Sequence, residues 1–255
     1  MSYVDAHIHL ADPAYDQVEP VSHDAANSGV AYLLSNSMDY ESSVRTIELS
    51  RQFDGIIAAV GVHPWTVTNE NADLNLSKFE LLIRDNQKHV RAIGEIGLDG
   101  HYDLDDKKKQ LQKDIFQFFL KLAEKQTLPV VIHSRLAVDE ILELLPSFNL
   151  AKVLLHWYSG PPENLLLFKD RGYFVSVGPS ILYSKRVAEV AREADLSMIL
   201  SETDGPVTYY GPFKNKPTRP SFIVDVVRKL SEVKNVTVEE AREIVWRNFH
   251  SFMSL

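Results

Sequence analysis

Eight short apolar segments, separated by longer stretches of helical pattern, constrain the fold of this chain more than any other feature. They lie at 3–10, 30–36, 55–62, 90–96, 128–133, 152–156, 173–177 and 198–203. Most are nearly continuous apolar runs, which is typical of parallel strands buried on both faces. Eight strand–helix alternations in 255 residues predict an α/β fold, a single (β/α)8 TIM barrel that spans residues 1–255. Because periodicity cannot show closure, a doubly wound open sheet is the alternative.

Helical spacing supports this interpretation between the strands. One apolar stripe recurs at intervals of three and four residues and consists of Leu111, Ile115, Phe118, Phe119 and Leu122. Two segments of capping-box form, SKFE at 77–80 and TVEE at 237–240, predict helix starts. The second predicts an extra C-terminal helix over 237–252 that covers the barrel.

Composition excludes several classes of protein. The chain has no cysteine, so it has neither disulfides nor thiolate metal ligands. No stretch reaches about 18 consecutive apolar residues, and the first residues lack the basic start of a signal peptide. We therefore expect a cytoplasmic protein without membrane contact, and no obligate protein partner is evident. A net charge of −8 argues against a broad nucleic-acid-binding face, although it allows a locally basic cleft.

Residues able to bind a metal ion lie where these apolar segments stop. They are His7, His9, Glu95, His133, His156 and Asp204. Side chains alternate across a strand, so the two histidines of the His-x-His pair point the same way. The active site of such a barrel lies at the carboxyl ends of its strands, and all six residues should meet there. One of them alone would be an ordinary polar residue at a strand end. Together they predict a metal site in a hydrolase.

Two further carboxylates share the strand parity of these ligands. Asp5 has the parity of His7, and Glu202 has that of Asp204, so both should point into the barrel. Either could orient a ligating imidazole by accepting its outer N–H. The alternative is a buried polar network that serves only the core.

The same residues lie in sequence blocks that resemble the TatD family of metal-dependent deoxyribonucleases, which have amidohydrolase-type barrels. The blocks are DAHIH at 5–9, GVHP at 61–64, IGEIGLD at 93–99, LPVVIHSR at 128–135, HWYSG at 156–160 and ETDGP at 202–206. They follow the family order, and WRNF at 246–249 resembles the family's ending. Small departures occur at Gly100, Trp157 and Gly205, where Tyr, Phe and Ala are usual, and none removes a ligand.

The resemblance implies two divalent metal ions, of Zn, Mn, Mg or Fe. It implies that one is held by His7, His9 and Asp204, the other by His133 and His156, and that Glu95 bridges them. It further implies a deoxyribonuclease that cleaves DNA phosphodiester bonds through a metal-bound hydroxide, with Asp204 as the general base.

Substrate-binding residues are predicted on less evidence. The resemblance implies that His63 contacts a substrate phosphate. Arg135 follows the His133-Ser134 pair, where a guanidinium could bind a phosphate bidentately. The loop after the eighth strand carries three cations, Lys214, Lys216 and Arg219. Four rim aromatics are candidates for stacking on bases, although packing would explain them equally well: Trp157, Tyr158, Tyr209 and Tyr210.

Two other functions remain open at this point. An amidohydrolase acting on a small lactone, cyclic amide or phosphoester would use the same metal centre, because a fold does not determine a function. An enclosed apolar pocket would favour that function, whereas Arg135 and the basic loop favour phosphate. A non-catalytic metal-binding scaffold is the third alternative.

Overall fold

Eight parallel strands form one sheet in which each strand pairs with the next along the chain. The computed structural model describes residues 1–67, 75–101 and 105–255. The strands are β1 (Tyr3–Ile8), β2 (Val30–Asn36), β3 (Ile56–Val60), β4 (Val90–Gly97), β5 (Val130–His133), β6 (Val153–Leu155), β7 (Phe174–Val177) and β8 (Ile199–Ser201). This consecutive order confirms the TIM barrel. A doubly wound sheet would reverse its strand order at a switch point, so that alternative is wrong.

Helices lie between the strands and after the last one. They are α1 (Glu19–Asn27), α2 (Tyr40–Gln52), α3 (Ser77–Asp85), α4 (Asp106–Gln126), α5 (Val138–Leu144), α6 (Asn164–Asp170), α7 (Lys185–Glu193), α8 (Phe222–Lys234) and α9 (Val238–Met253). The predicted stripe lies on α4, where Ile115, Phe119 and Leu122 are buried.

The extra C-terminal helix is confirmed as α9. Thr237 caps it by accepting a hydrogen bond from the Glu240 amide at 3.1 Å. The helix start predicted at 77–80 is confirmed, since α3 begins at Ser77, but the capping box there is wrong. Leu76 is the N-cap residue, Ser77 is already helical, and no side chain caps the helix.

Residues directly after β8 connect this last strand to β1 through polar contacts. The Asp204 amide donates to the His7 carbonyl at 2.8 Å. Asp5 accepts from the Thr203 amide at 2.9 Å and from its hydroxyl at 2.5 Å. All four residues are buried. The barrel is therefore nearly closed, and its seam lies under the predicted metal site.

Two strands are irregular next to predicted ligands. On β1, the three-residue step from Asp5 to Ile8 faces only two residues of β2, and the step includes His7. On β4, the step from Ile93 to Ile96 faces two residues of β5, and the step includes Glu95. Such irregularities redirect side chains and are common near active sites.

Among the helices of the described residues, none combines the length and the apolar character that a membrane crossing requires.

We predict that Asp5→Ala lowers the free energy of unfolding by about 2–4 kcal/mol, because it leaves the buried Thr203 amide without its acceptor. Burial raises the pKa of Asp5 to about 8, although hydrogen bonds from Thr203 and His7 oppose the shift. The neutral carboxyl therefore predominates at pH 7, and Asp5→Asn should cost less than about 1 kcal/mol. Urea denaturation of the metal-free protein measures both changes. Asp16→Ala, at an exposed position, is the control. An Asp5→Ala variant as stable as this control would contradict the prediction.

Candidate metal centre

All six predicted ligands converge at the carboxyl ends of the strands, but they reach this rim from different backbone positions. His7 lies in β1, and His9 follows it. Glu95 lies inside β4, and His133 ends β5. The last two follow their strands: His156 comes directly after β6, and Asp204 comes three residues after the end of β8.

Two imidazoles and two carboxylates form the first group of donor atoms. His7 Nε2 and His9 Nε2 lie 3.1 Å apart. Glu95 Oε2 lies 3.2 Å from the former and 3.3 Å from the latter. Asp204 Oδ1 lies 3.3 and 3.4 Å from the same two nitrogens. Four donors thus face one small volume.

The other oxygen of the same glutamate faces a second group. Glu95 Oε1 lies 2.8 Å from His156 Nε2, 3.0 Å from His133 Nδ1 and 3.2 Å from His63 Nε2. His63 Nε2 and His133 Nδ1 are 3.2 Å apart. A single carboxylate therefore separates two clusters of nitrogen donors.

Outer hydrogen bonds determine which ring nitrogen His9 and His133 present. His9 Nδ1 lies 3.1 Å from the Asn36 carbonyl, so it donates and leaves Nε2 facing inward. His133 Nε2 lies 2.7 Å from Asp99 Oδ2, which leaves its Nδ1 facing inward. Ligating histidines are commonly held by such outer acceptors. His156 Nδ1 lies 3.6 Å from Glu202 Oε2, which is too long for a hydrogen bond.

This donor set fits divalent cations. Donors about 2.1 Å from one ion lie roughly 3.0–3.4 Å from each other in octahedral or tetrahedral arrangement, and the first group shows 3.1–3.4 Å. Within the described residues, Glu95 Oε2 is buried and has no hydrogen-bond donor. Two buried imidazole nitrogens at 3.1 Å also lack a favourable direct interaction unless a proton or a cation lies between them. The residues present therefore match the group that they would hold.

Glycines allow β4 to place Glu95. A Cβ atom at Gly94 would lie 2.7 Å from Asn36 Oδ1 and 2.8 Å from Val131 Cβ. Gly97 has a φ of 146°, and a Cβ there would lie 2.0 Å from the His133 carbonyl oxygen. Side chains at these positions would push β4 away from its neighbours and displace the carboxylate.

The electrostatics of the metal-free centre reflect charges that share a buried space. Burial by itself lowers the pKa of His9, but the carboxylates of Asp204 and Glu95 outweigh it and raise the pKa to about 10. Burial also disfavours a charged His156, yet Glu95 raises its pKa well above the usual value. Burial would raise the pKa of Glu95, but His156 and the other imidazoles lower it well below the usual value. The pKa of Asp204 is likewise lowered, mainly by hydrogen bonds from His7 and His9 that outweigh burial.

His63 differs from the other histidines of the centre. Its Nδ1 accepts the Trp65 amide hydrogen at 3.0 Å, so in the neutral ring Nε2 carries the proton. Burial lowers its pKa, although Glu95 opposes the shift, and this favours the neutral ring. The geometry therefore presents an N–H donor toward Glu95 and His133.

The two carboxylates that were predicted to orient imidazoles, Glu202 and Asp5, have different surroundings. Glu202 lies beside the outer nitrogen of His156 and accepts from Ser176 Oγ at 2.5 Å. Asp5 accepts from the His7 amide at 3.3 Å and from Thr203, and none of its hydrogen bonds within the described part of the chain reaches an imidazole. Its contacts match the alternative of a structural network.

Sequence reasoning missed Asp99 as a partner of His133. Its carboxylate also accepts from Trp65 Nε1 at 2.6 Å and from the His101 amide at 2.7 Å. The residue belongs to the block at 93–99, but it is 34 positions from His133. No local spacing connects the two, so the fold alone brings them together.

The predicted substrate residues spread over the rim. Arg135 is exposed after β5. Lys214 and Lys216 are exposed near the tip of the loop after β8, whereas Arg219 is half-buried. Arg219 lines a groove of about 480 Å³ together with Tyr15 and Pro206.

The four rim aromatics also differ from one another. Tyr158 is fully buried and packs against Phe168, and buried Tyr209 donates its hydroxyl hydrogen to the Thr203 carbonyl. These two are packing residues. Trp157 is half-buried, and Tyr210 is 71% exposed.

Comparison with known families agrees with this centre. The model of the family described as TatD related DNase matches residues 4–254, which is nearly the whole chain. The chain belongs to the TatD family. As a TatD-family protein it is a metal-dependent hydrolase, and the resemblance noted in its motifs is confirmed.

Similar TatD-family proteins come from distant organisms. Human TATDN3, named a deoxyribonuclease, is 30% identical over 96% of this chain and 92% of its own length. The Methanocaldococcus jannaschii protein named uncharacterized metal-dependent hydrolase MJ1582 is 27% identical and covers 99% of this chain and 97% of its own. The crystal structure of the TatD homologue YjjV of Escherichia coli has a TM-score of 0.91 at 27% identity, with 99% of this chain and 98% of that one covered.

We predict that Asp99→Asn weakens metal binding by about 10–100-fold, because His133 loses the anionic acceptor that holds its ring. Competition with a fluorescent chelator measures the affinity. Asp139→Asn makes the same substitution at an exposed position and should leave the affinity unchanged. Equal affinities in the two variants would show that Asp99 does not support the site.

We also predict that metal binding releases protons and strengthens as the pH rises. The pKa of His9 is raised to about 10, so its metal-free imidazole is protonated at neutral pH and must lose that proton to ligate. Each released proton weakens apparent affinity by about tenfold per pH unit below that pKa. Titration calorimetry between pH 6.5 and 8 in buffers of different ionisation enthalpy counts the protons. Affinity that does not change over this range would contradict the prediction.

Proposed function

We propose that this TatD-family protein is a two-metal phosphodiesterase that hydrolyses DNA. The bridging position of Glu95 carries the proposal. Its Oε2 faces His7 and His9, and its Oε1 faces His133 and His156. Since each oxygen faces a separate group of imidazole nitrogens, two neighbouring cations account for the arrangement better than one.

Each ligand has a distinct part in this proposal. His7, His9 and Asp204 would hold one cation, His133 and His156 the other, and Glu95 both. When bound, the cations would polarise a phosphoryl oxygen and lower the pKa of water. Mixed imidazole and carboxylate donors suit Zn, Mn, Fe or Mg.

Two residues would handle protons around the scissile phosphate. The pKa of Asp204 is lowered by the imidazoles beside it, so its carboxylate is ionised at neutral pH and can accept a proton from the attacking water. His63 would donate its Nε2 hydrogen to a phosphate oxygen, since its Nδ1 is already an acceptor for the Trp65 amide.

Two observations support DNA as the substrate: the name of a relative and the exposed cations in the rim loops. Human TATDN3 is named a deoxyribonuclease. Arg135, Lys214 and Lys216 are exposed on the loops around the centre. In a chain of net charge −8, these cations place positive potential where a phosphate backbone would arrive.

A metal-resolved activity screen tests the function. Protein saturated with Zn, Mn, Mg or Fe should bind close to two ions per chain. It should hydrolyse single-stranded DNA and bis(p-nitrophenyl) phosphate faster than lactones or cyclic amides. A fully active enzyme with one ion would overturn the two-metal proposal. Turnover of lactones far above that of every phosphodiester would favour the small-molecule hydrolase instead.

We predict that Asp204→Asn lowers kcat by about 10²–10⁴-fold, because the amide can no longer accept the proton and carries no charge. The fold should persist, since the barrel core is unchanged. Steady-state kinetics with saturating metal, together with circular dichroism, measure both effects. The exposed Asp139→Asn change serves again as the control and should retain full activity. Near-normal turnover by Asp204→Asn at equal metal content would remove this residue from the mechanism.

A further inference from the structure

Two tyrosines stand exposed on the catalytic rim, in the loops after β7 and β8. Tyr183 is 38% exposed and Tyr210 is 71% exposed. Their rings meet edge to face with centroids 6.2 Å apart. Exposed aromatic rings beside an active site can accept the faces of unstacked bases.

The backbone directly after Tyr210 allows these rings to meet. Gly211 has a φ of 59°, in the left-handed region. A Cβ atom there would lie 3.1–3.4 Å from atoms of Tyr183, so glycine favours the close approach of this side chain to the loop.

A small aromatic cluster connects this surface to the metal centre. Phe213 and Phe222 stack with centroids 4.2 Å apart and are grouped with Tyr209. The Tyr209 hydroxyl donates to the Thr203 carbonyl at 2.6 Å, directly before Asp204. Tyr210 directly follows Tyr209, which these buried contacts hold against the segment that carries Asp204.

Four cations lie close to the two tyrosines along the chain. Lys185 and Arg186 begin α7 directly after Tyr183 and Ser184, and Lys214 and Lys216 follow Gly211. All four are exposed, and none has an ion-pair partner among the residues that the structure describes.

The first turn of α7 also lacks an acidic residue. Because a helix N-terminus already carries partial positive charge, Lys185 and Arg186 do not favour the helix by themselves. They concentrate positive potential beside Tyr183 in an otherwise acidic chain.

We propose that Tyr183 and Tyr210, with the flanking Lys185, Lys214 and Lys216, form a platform that binds single-stranded nucleic acid. Bases stack on the two rings, and phosphates contact the three cations. A duplex keeps its base faces stacked internally, so this surface selects an unpaired segment. The inference rests on the proposed phosphodiesterase function and deepens it by naming the form of its substrate.

Two oligonucleotides of equal length test the stacking. One is an ordinary single-stranded deoxyribonucleotide, and the other is abasic and retains only the sugar-phosphate chain. The metal-loaded double variant Tyr183→Ala/Tyr210→Ala should raise KM for the ordinary strand by roughly tenfold or more. The abasic strand and bis(p-nitrophenyl) phosphate should show no change.

Matched variants separate stacking from general damage. Tyr210→Phe keeps the ring and should keep the wild-type KM. Leu166→Ala removes a side chain that is 69% exposed on α6, away from the platform, and should also have no effect.

The cations are tested by salt dependence. Lys185→Ala/Lys214→Ala/Lys216→Ala should weaken binding of both strands and flatten the slope of log affinity against log salt by about 0.7 per lost contact. Lys121→Ala, at an exposed position on α4, should leave the slope unchanged.

The outcomes distinguish this inference from the proposed function. If the wild type cleaves DNA and the double tyrosine variant has the same KM for the ordinary strand, the platform is overturned and the phosphodiesterase stands. If the metal-loaded wild type cleaves no phosphodiester, the proposed function is wrong. Binding of a 2-aminopurine oligonucleotide then decides the platform: weaker binding by the tyrosine variant supports it, and equal binding overturns it.

Discussion

One buried carboxylate surrounded by imidazoles determines the design of this protein. Among the described residues, five histidines place a ring nitrogen within 3.3 Å of a Glu95 oxygen: His7, His9, His63, His133 and His156. A buried charge is costly unless opposite charges or hydrogen bonds compensate it. The barrel provides this compensation because it brings the ends of β1, β3, β4, β5 and β6 to the same place.

Much of the surrounding structure keeps that arrangement in place. Gly94 and Gly97 let β4 lie against its neighbours at Glu95. Asp99 holds the outer nitrogen of His133, and Glu202, itself held by Ser176, lies beside that of His156. Each of these outer groups has its own partners, so the inward-facing nitrogens are oriented before any ligand arrives.

The residues proposed to bind the substrate lie apart from this rigid metal centre. The metal-binding atoms sit at or just beyond the strand ends, whereas the exposed cations and tyrosines lie in the longer loops above them. The loop after β8 shows the division clearly, since Tyr209 packs inward and Tyr210 points to solvent. Such barrels keep a centre constant and vary their loops, and this explains why a metal-dependent hydrolase fold serves many substrates.

The sequence alone determined the barrel and the residues that meet on its rim. Eight apolar runs with helical patterns between them specify parallel strands buried on both faces, and the rule that active sites lie at strand ends then brings His7, Glu95 and Asp204 together. Only the tertiary structure decided the directions of individual side chains. The irregular steps in β1 and β4 break simple strand parity, and the His133–Asp99 pair joins positions 34 residues apart. The N-cap position of Leu76 at α3 and the exposure of Tyr183 beside Tyr210 depend in the same way on contacts between distant segments, which local patterns do not record.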